Sequence, residues 1–231
     1  MKVAILDFDG TLFDSAPFWE NTINTFLLER NITPPQDILG IAKPLGIRGC
    51  AELFKERFDI PDDTMEIVTA WRSEVGKNYR YTIPLKEYAR EYINYLLDKG
   101  IKVCMATAME REFFTPALIR TGIYDLFELI VTIEDVKADK NSPKIFLHCA
   151  EHFGVTPADC TVFEDSYKTA EICQKAGFHV IGVDDGVCKS DFEKMQPFCE
   201  RYIFSFRELL DGYEPAPNIE MERAKDAIDV L

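Results

Sequence analysis

The stretch Val3-Ala4-Ile5-Leu6-Asp7-Phe8-Asp9-Gly10-Thr11 places two carboxylates two residues apart, directly after a short apolar run. The run is unbroken, as expected of a strand buried on both faces of a parallel sheet. If the strand continues to Asp9, the two acidic side chains point the same way. At a separation of about 4 Å they repel by about 4 kcal/mol at an effective dielectric of about 20. The stretch is therefore either a site that holds a cation or a proton between two carboxylates, or an ordinary acidic turn.

Other apolar runs along the chain also have the character of strands. They cover residues 101–106, 129–131, 161–163 and 180–183. Helical patterns cover residues 86–99, 112–121, 143–153 and 167–176, and each ends at a glycine, which is a common helix stop. Alternating strands and helices predict an α/β fold with a Rossmann-like parallel sheet and helices on both of its faces.

Residues 16–82 depart from this alternation and have only helical patterns, at 17–30, 47–58 and 62–79, with prolines between them. We expect this segment to form a small α-helical cap domain inserted over the carboxyl edge of the sheet. Residues 1–15 and 83–212 then form the α/β core. Residues 213–231 form an acidic C-terminal segment in which 218–230 has a helical pattern.

Composition narrows the function classes. The 231 residues carry a formal net charge of −14, which argues against a nucleic-acid surface and against binding anionic membranes by charge. An acidic protein that handles an anionic substrate needs a local cation, and this favours a metal ion. The seven cysteines form no CxxC pair, no apolar run approaches the length of a membrane span, and no signal peptide precedes the first strand. These features predict a cytoplasmic protein.

Several polar residues follow the predicted strands. Asp7 and Asp9 follow the first strand, Thr107 follows the run 101–106, and Glu164 and Asp165 follow the run 161–163. Ligands of open parallel sheets bind outside the carboxyl ends of the strands. Acids and a hydroxyl group from three strands therefore meet at one edge, which indicates a catalytic site.

These motifs resemble those of the haloacid dehalogenase-like hydrolases, in the helical-cap branch that includes phosphoglycolate phosphatase and β-phosphoglucomutase. The first motif, Asp-x-Asp-Gly-Thr, is matched in full by Asp7, Asp9, Gly10 and Thr11. The resemblance covers residues 1–212. It implies that Asp7 is the nucleophile and that Asp9 is the general acid/base.

The remaining motifs complete the site that the resemblance implies. Thr107 stands where the family has a phosphate-binding Ser or Thr, and we expect Thr11 and Ala108 to contact the substrate as well. Glu164 and Asp165 match the acidic metal-binding motif. Mg²⁺ would be held by Asp7, Asp165 and the backbone carbonyl of Asp9, with Glu164 joining directly or through water.

The lysine motif matches less well. The family usually has Lys-Pro-x-Pro-Asp, whereas this chain has Lys140-Asn141-Ser142-Pro143-Lys144. Lys140 is the matching lysine, and Lys137 and Lys144 are its competitors for the same role. In the cap, Trp19, Lys43 and Arg48 are candidates for substrate contacts, with core packing for Trp19 and solvated surface charge for the two cations as the alternatives.

The function expected from these motifs is that of a Mg²⁺-dependent phosphatase acting on a small phosphorylated metabolite, such as a sugar phosphate or phosphoglycolate, through a phosphoaspartate. A phosphomutase of the β-phosphoglucomutase type is the first alternative. Mutases of that group carry a histidine after the first motif, and Trp19 stands there in this chain. A regulatory module that binds phosphate without turnover is the second alternative. The sequence does not indicate an oligomeric state.

Overall fold

The structure is a computed structural model, and it describes residues 1–36, 38–42, 45–138, 140–187 and 191–210. Lys43 and the predicted C-terminal segment 213–231 lie outside the described residues. Among the described helices, none combines the length and apolar character needed to cross a bilayer.

Six parallel strands form one sheet in the order β3-β2-β1-β4-β5-β6. They are β1 (Val3–Leu6), β2 (Lys102–Thr107), β3 (Leu129–Thr132), β4 (Cys160–Glu164), β5 (His179–Val183) and β6 (Arg201–Ile203). The predicted α/β fold with a parallel sheet is confirmed. The three-residue β6 was not predicted, and β1 ends at Leu6 instead of continuing to Asp9.

Helices cover both faces of this sheet. The described helices are α1 (Ala16–Leu28), α2 (Ile38–Ala42), α3 (Gly46–Phe58), α4 (Thr64–Tyr81), α5 (Ala89–Asp98), α6 (Arg111–Arg120), α7 (Ile133–Val136), α8 (Lys144–His152), α9 (Tyr167–Lys175) and α10 (Asp191–Met195). Alternate residues of β1 divide between two cores: Ala4 and Leu6 pack in a cluster with α5 and α6, whereas Val3 and Ile5 pack in a cluster with α8 and α9.

The central position of β1 explains where the functional residues emerge. Leu6 is in register with Met105 of β2 and with Phe163 of β4. The next residue, Asp7, continues this pairing, because its N–H donates to the Phe163 carbonyl at 3.1 Å. The chain therefore leaves β1 at the carboxyl edge of the sheet with the ends of β2 and β4 on either side.

Helices α1 to α4 follow β1 and enclose a third hydrophobic cluster. Trp71 lies at its centre, with edge-on ring contacts to Phe26 at 5.1 Å and to Phe54 at 5.8 Å between centroids. The start of α4 is fixed by a capping box in which the Asp63 carboxylate accepts from the Met65 N–H, while Glu66 accepts from the Asp63 N–H. The predicted helices 17–30, 47–58 and 62–79 correspond to α1, α3 and α4, and α2 was not predicted.

Candidate active site

Three buried carboxylates meet at the carboxyl edge of the sheet. Asp7 follows β1, Glu164 ends β4, and Asp165 is the next residue. One carboxylate oxygen from each lies within 4.8 Å of one from each of the others. Their side chains are almost fully enclosed, since the three residues are 5%, 1% and 5% exposed. Such an arrangement is strongly repulsive unless cations or protons accompany it.

Lys140 supplies one positive charge to this acidic cluster of Asp7, Glu164 and Asp165. Its Nζ lies 2.5 Å from Asp7 Oδ1 and 3.0 Å from Glu164 Oε2. Burial lowers the pKa of Lys140, but the attraction of the two carboxylates outweighs burial and raises the pKa above its ordinary value. Lys140, Lys137 and Lys144 were the sequence candidates for the lysine of the site. The structure places Lys140 at the acidic cluster, whereas Lys137 and Lys144 are exposed.

The acidic cluster has the chemistry of a site for a hard divalent cation. Burial raises the pKa of Asp7 and Glu164 above their ordinary values, and Lys140 only partly opposes this effect. If all groups are ionised, three carboxylates and one ammonium group leave a formal charge of minus two in a buried space. Carboxylate oxygens are the ligands that Mg²⁺, Ca²⁺ and Mn²⁺ prefer. The residues present therefore fit a divalent metal ion.

Asp9 is the fourth acid at this edge and is half-buried. Its Oδ1 accepts a short hydrogen bond from the hydroxyl group of Tyr79, which lies on α4. The Tyr79 hydroxyl in turn accepts from Trp19 Nε1 at 3.0 Å. Burial raises the pKa of Asp9 to about 7, with repulsion from Asp7 adding to the increase and the Tyr79 hydrogen bond opposing it. Asp9 is therefore suited to hold and release a proton near neutral pH.

Gly10 is required for the acidic cluster to form. Its φ of +66° lies in the left-handed region, which residues with a Cβ rarely adopt. A Cβ built on Gly10 would lie 2.0 Å from Asp165 Oδ2. The absence of a side chain at this position therefore lets Asp165 approach the turn that carries Asp7 and Asp9.

The other residues predicted for the core site occupy different environments. Thr107 ends β2, is 1% exposed, and uses its Oγ1 to accept the Met109 N–H at 2.9 Å. Ala108 lines a cavity that opens beside Asp9 and Asp165. Thr11 is fully enclosed, and its hydroxyl group has no hydrogen-bond partner among the described residues.

The two described cap residues that were predicted to contact the substrate lie in different environments. Trp19 lines the same cavity as Asp9. Arg48 does not, because its side chain is 72% exposed and pairs with Glu52 one helical turn away at 3.0 Å. Its neighbours Gly46, Ile47 and Cys50 line the cavity instead. The sequence thus pointed to the segment around residue 48, but it did not reveal which face of α3 lines the cavity.

Tyr79 was not identified as a site residue from the sequence. Its spacing of four from Val75 and eight from Trp71 places these three residues on one face of α4. That periodicity predicts a buried face, which is correct for all three. Only the packing of α4 against the loop after β1 reveals that Tyr79 reaches a carboxylate.

Comparisons with known proteins identify the family of this chain. A family model described as haloacid dehalogenase-like hydrolase matches residues 1–177. A phosphoglycolate phosphatase of Thiobacillus denitrificans is 26% identical over 193 residues, covering 80% of this chain and 84% of that protein. Hexitol phosphatase B of Escherichia coli is 28% identical over 172 residues, covering 71% of this chain and 74% of that protein. A crystal structure of a haloacid dehalogenase-like protein from Agrobacterium tumefaciens has the same fold, with a TM-score of 0.77 at 21% identity over 90% of this chain and 96% of that one.

Proposed function

Because the chain belongs to the haloacid dehalogenase-like hydrolase family, we propose that it is a phosphoric monoester hydrolase that acts on a small phosphorylated compound through a phosphoaspartate at Asp7. The observation that carries this proposal is the contact of Lys140 Nζ with Asp7 inside the acidic cluster. The buried Asp7 carboxylate is held by an ammonium group and lies within 4.8 Å of a carboxylate oxygen of Asp165, which lines a cavity. Such a carboxylate is suited to attack an anionic ester. The phosphatases among the relatives support the same reaction class.

In the first half of the reaction, an Asp7 carboxylate oxygen attacks phosphorus as the bond to the leaving oxygen breaks. Asp9 gives its proton to that leaving oxygen, and the alcohol departs. The raised pKa of Asp9, about 7, keeps a useful fraction of this side chain protonated at neutral pH. The product of this half is an acyl phosphate on Asp7 and an ionised Asp9.

In the second half, Asp9 takes a proton from water as the water oxygen attacks phosphorus. The bond between phosphorus and the Asp7 oxygen breaks, which releases inorganic phosphate and restores the Asp7 carboxylate. The Tyr79 hydrogen bond keeps the Asp9 carboxylate in place through both halves. Lys140 offsets the negative charge on the phosphoryl oxygens, and backbone N–H groups near Thr107 and Ala108 orient them.

Mg²⁺ is the proposed cofactor. The side chains of Asp7, Glu164 and Asp165 would hold it, together with the Asp9 backbone carbonyl, and bound there it would neutralise part of the charge of the phosphoryl group. The proposed domain division follows from the same arrangement: α1 to α4 form a helical cap whose side chains enclose the leaving group, and the sheet with its remaining helices forms the core.

Phosphate release from p-nitrophenyl phosphate in the presence of Mg²⁺ tests the proposal. We expect turnover by the wild type and its loss in Asp7→Asn, with a phosphate adduct of Asp7 trapped by acid quench and detected by mass spectrometry in the wild type only. Turnover that persists in Asp7→Asn would exclude a phosphoaspartate. A wild type that binds phosphate without any turnover would favour a regulatory module, and isomerised sugar phosphate formed with glucose bisphosphate, without free phosphate, would favour a mutase.

A further inference from the structure

A cavity of about 290 Å³ extends from the acidic cluster into the segment of α1 to α4. Asp9, Gly10 and Asp165 line the end where the chemistry is proposed. Most of the other described lining residues are apolar, and the large ones include Trp19, Ile23, Leu39, Trp71, Val75 and Phe113. A leaving group attached to a phosphoryl group at Asp7 therefore enters apolar surroundings.

The positive charge that the described residues bring to this wall is already paired with carboxylates. Arg72 is the one cationic residue among the described residues that line the cavity. Its guanidinium group is held by two carboxylates, with Glu110 and Glu112 each at 2.5 Å. A leaving group with a carboxylate, such as that of phosphoglycolate, or with a second phosphate would thus lack an uncommitted cation among the described residues of the wall.

Few groups on the wall can bind sugar hydroxyl groups. Ser15 lines the cavity, but its Oγ accepts the Gly10 N–H at 3.2 Å. Trp71 and Glu110 each offer one polar atom. Trp71 is 2% exposed and its indole N–H has no acceptor among the described residues, and the buried Glu110 Oε2 has no donor among them. A polyhydroxylated leaving group would lose hydrogen bonds to water here without gaining enough hydrogen bonds from the wall to replace them. A hydrocarbon leaving group has no such hydrogen bonds to lose.

We propose that the substrate is a phosphate monoester of a small, largely apolar alcohol, flat or branched, that carries at most one hydrogen-bond acceptor for Trp71 and one donor for Glu110. This inference rests on the proposed phosphatase function and narrows its substrate class away from sugar phosphates and phosphoglycolate. The cavity volume of about 290 Å³ lies just below the range of about 300–1,000 Å³ for sites of drug-sized ligands, which favours a small leaving group. A single ring or a short branched chain is therefore the size that fits.

A series of esters of primary alcohols tests the proposal, because their leaving groups have similar acidity. Propyl, pentyl and benzyl phosphate are compared with glycerol 3-phosphate and glucose 6-phosphate by phosphate release. We expect kcat/KM to rise by about fourfold for each added methylene group, and to be about 10- to 100-fold higher for benzyl phosphate than for glycerol 3-phosphate. An equal or higher kcat/KM for the two polar esters would overturn the inference and leave the phosphatase function intact.

A binding measurement separates this inference from the proposed function. The two tryptophans of the chain, Trp19 and Trp71, both line the cavity, so intrinsic fluorescence reports its occupancy. In Asp7→Asn, benzyl phosphate should change the fluorescence at a concentration about 10- to 100-fold lower than glycerol 3-phosphate does. This preference would support the apolar cavity even if the wild type released no phosphate from any ester, and equal concentrations would overturn it.

Two matched variants test whether the cavity causes the preference for apolar esters. Ala42 lines the cavity, whereas Ala70, on α4 next to Trp71, is exposed. Ala42→Leu should lower the ratio of kcat/KM for benzyl phosphate over propyl phosphate by about tenfold, since the added side chain occupies the space of the ring. Ala70→Leu should leave the ratio unchanged. A ratio that responds equally to both substitutions would overturn the assignment of this wall.

Discussion

The Tyr79 hydroxyl group donates a hydrogen bond to Asp9 Oδ1, although the two residues are 70 positions apart in the chain. Tyr79 is fully buried on α4, where its ring lies 5.5 Å from that of Phe8 between centroids. Asp9 belongs to the turn after β1. This contact therefore connects the segment of α1 to α4 directly to the proposed acid/base, and Trp19 Nε1 extends it by a second hydrogen bond.

Tyr79→Phe should slow turnover while preserving the ring packing. A hydrogen bond to a charged group contributes about 1.5–3 kcal/mol, so we expect kcat to fall by about 10- to 100-fold. The bond stabilises the ionised Asp9 and thus lowers its pKa, so removing it raises that pKa. Because Asp9 must be protonated in the first half-reaction, the alkaline limb of the pH–rate profile should move to higher pH.

The control for this variant is Tyr81→Phe on the same helix, since Tyr81 is 70% exposed. It should retain the wild-type rate and pH profile. If Tyr79→Phe loses rate but keeps the alkaline limb in place, Tyr79 acts only in packing and has no part in setting the proton affinity of Asp9.

Lys140→Met tests the cation of the acidic cluster. Loss of a single charge-stabilising donor costs about 10²–10³-fold in kcat, and we expect a decrease of that size in phosphate release. Without added metal, the variant should also lose about 3–5 kcal/mol of unfolding free energy in urea, because Asp7 and Glu164 are left buried without their partner. Lys144→Met, at an exposed position on α8, should change neither quantity, and a comparable effect there would transfer the role to Lys144.

The sequence sufficed for five of the six strands because their signals are local and strong. Val3–Leu6 is a continuous apolar run, and it is buried on both faces as such runs predict. Each of the four predicted helices that flank the sheet ends two residues before the expected glycine. The meeting of Asp7 with Glu164 and Asp165 follows from topology alone, since parallel strands end at one edge.

The features that were missed depend on tertiary packing. Arg201–Ile203 is a short edge strand beside β5, and three residues carry too little periodicity to identify it. Tyr79 and Arg48 both lie on helices that were predicted, but helical spacing does not reveal which neighbour a face contacts. The wall of the cavity comes from several helices, so the cavity could not be predicted from the sequence. Trp19, one of its lining residues, was nevertheless predicted as a candidate for substrate contact.

Added Mg²⁺ should stabilise the protein through the acidic cluster. At a concentration 100 times its Kd, a ligand that binds only the folded state adds about 2.7 kcal/mol. For a chain of this size, this corresponds to a rise in Tm of about 5–10 °C over the value in EDTA. Glu164→Gln should reduce the rise, whereas Glu134→Gln, at an exposed position, should retain it. Equal rises in the two variants would show that the ion binds elsewhere.

Gly10→Ala and Gly100→Ala separate backbone strain from crowding at the site. Both glycines have positive φ, +66° and +73°, so each substitution carries a similar cost of about 1–2 kcal/mol for the left-handed conformation. At Gly100 an added Cβ meets no atom within 4 Å, whereas at Gly10 it would lie 2.0 Å from Asp165 Oδ2.

Urea unfolding should therefore show a modest loss of stability for Gly100→Ala with phosphate release intact. Gly10→Ala should lose more stability than Gly100→Ala, because Asp165 is displaced from Asp7 and Glu164. For the same reason its kcat should fall by at least about 100-fold, and most of the rise in Tm with Mg²⁺ should be lost. Retained activity in Gly10→Ala, with a loss of stability no greater than that of Gly100→Ala, would mean that Asp165 does not need its close approach to the turn after β1.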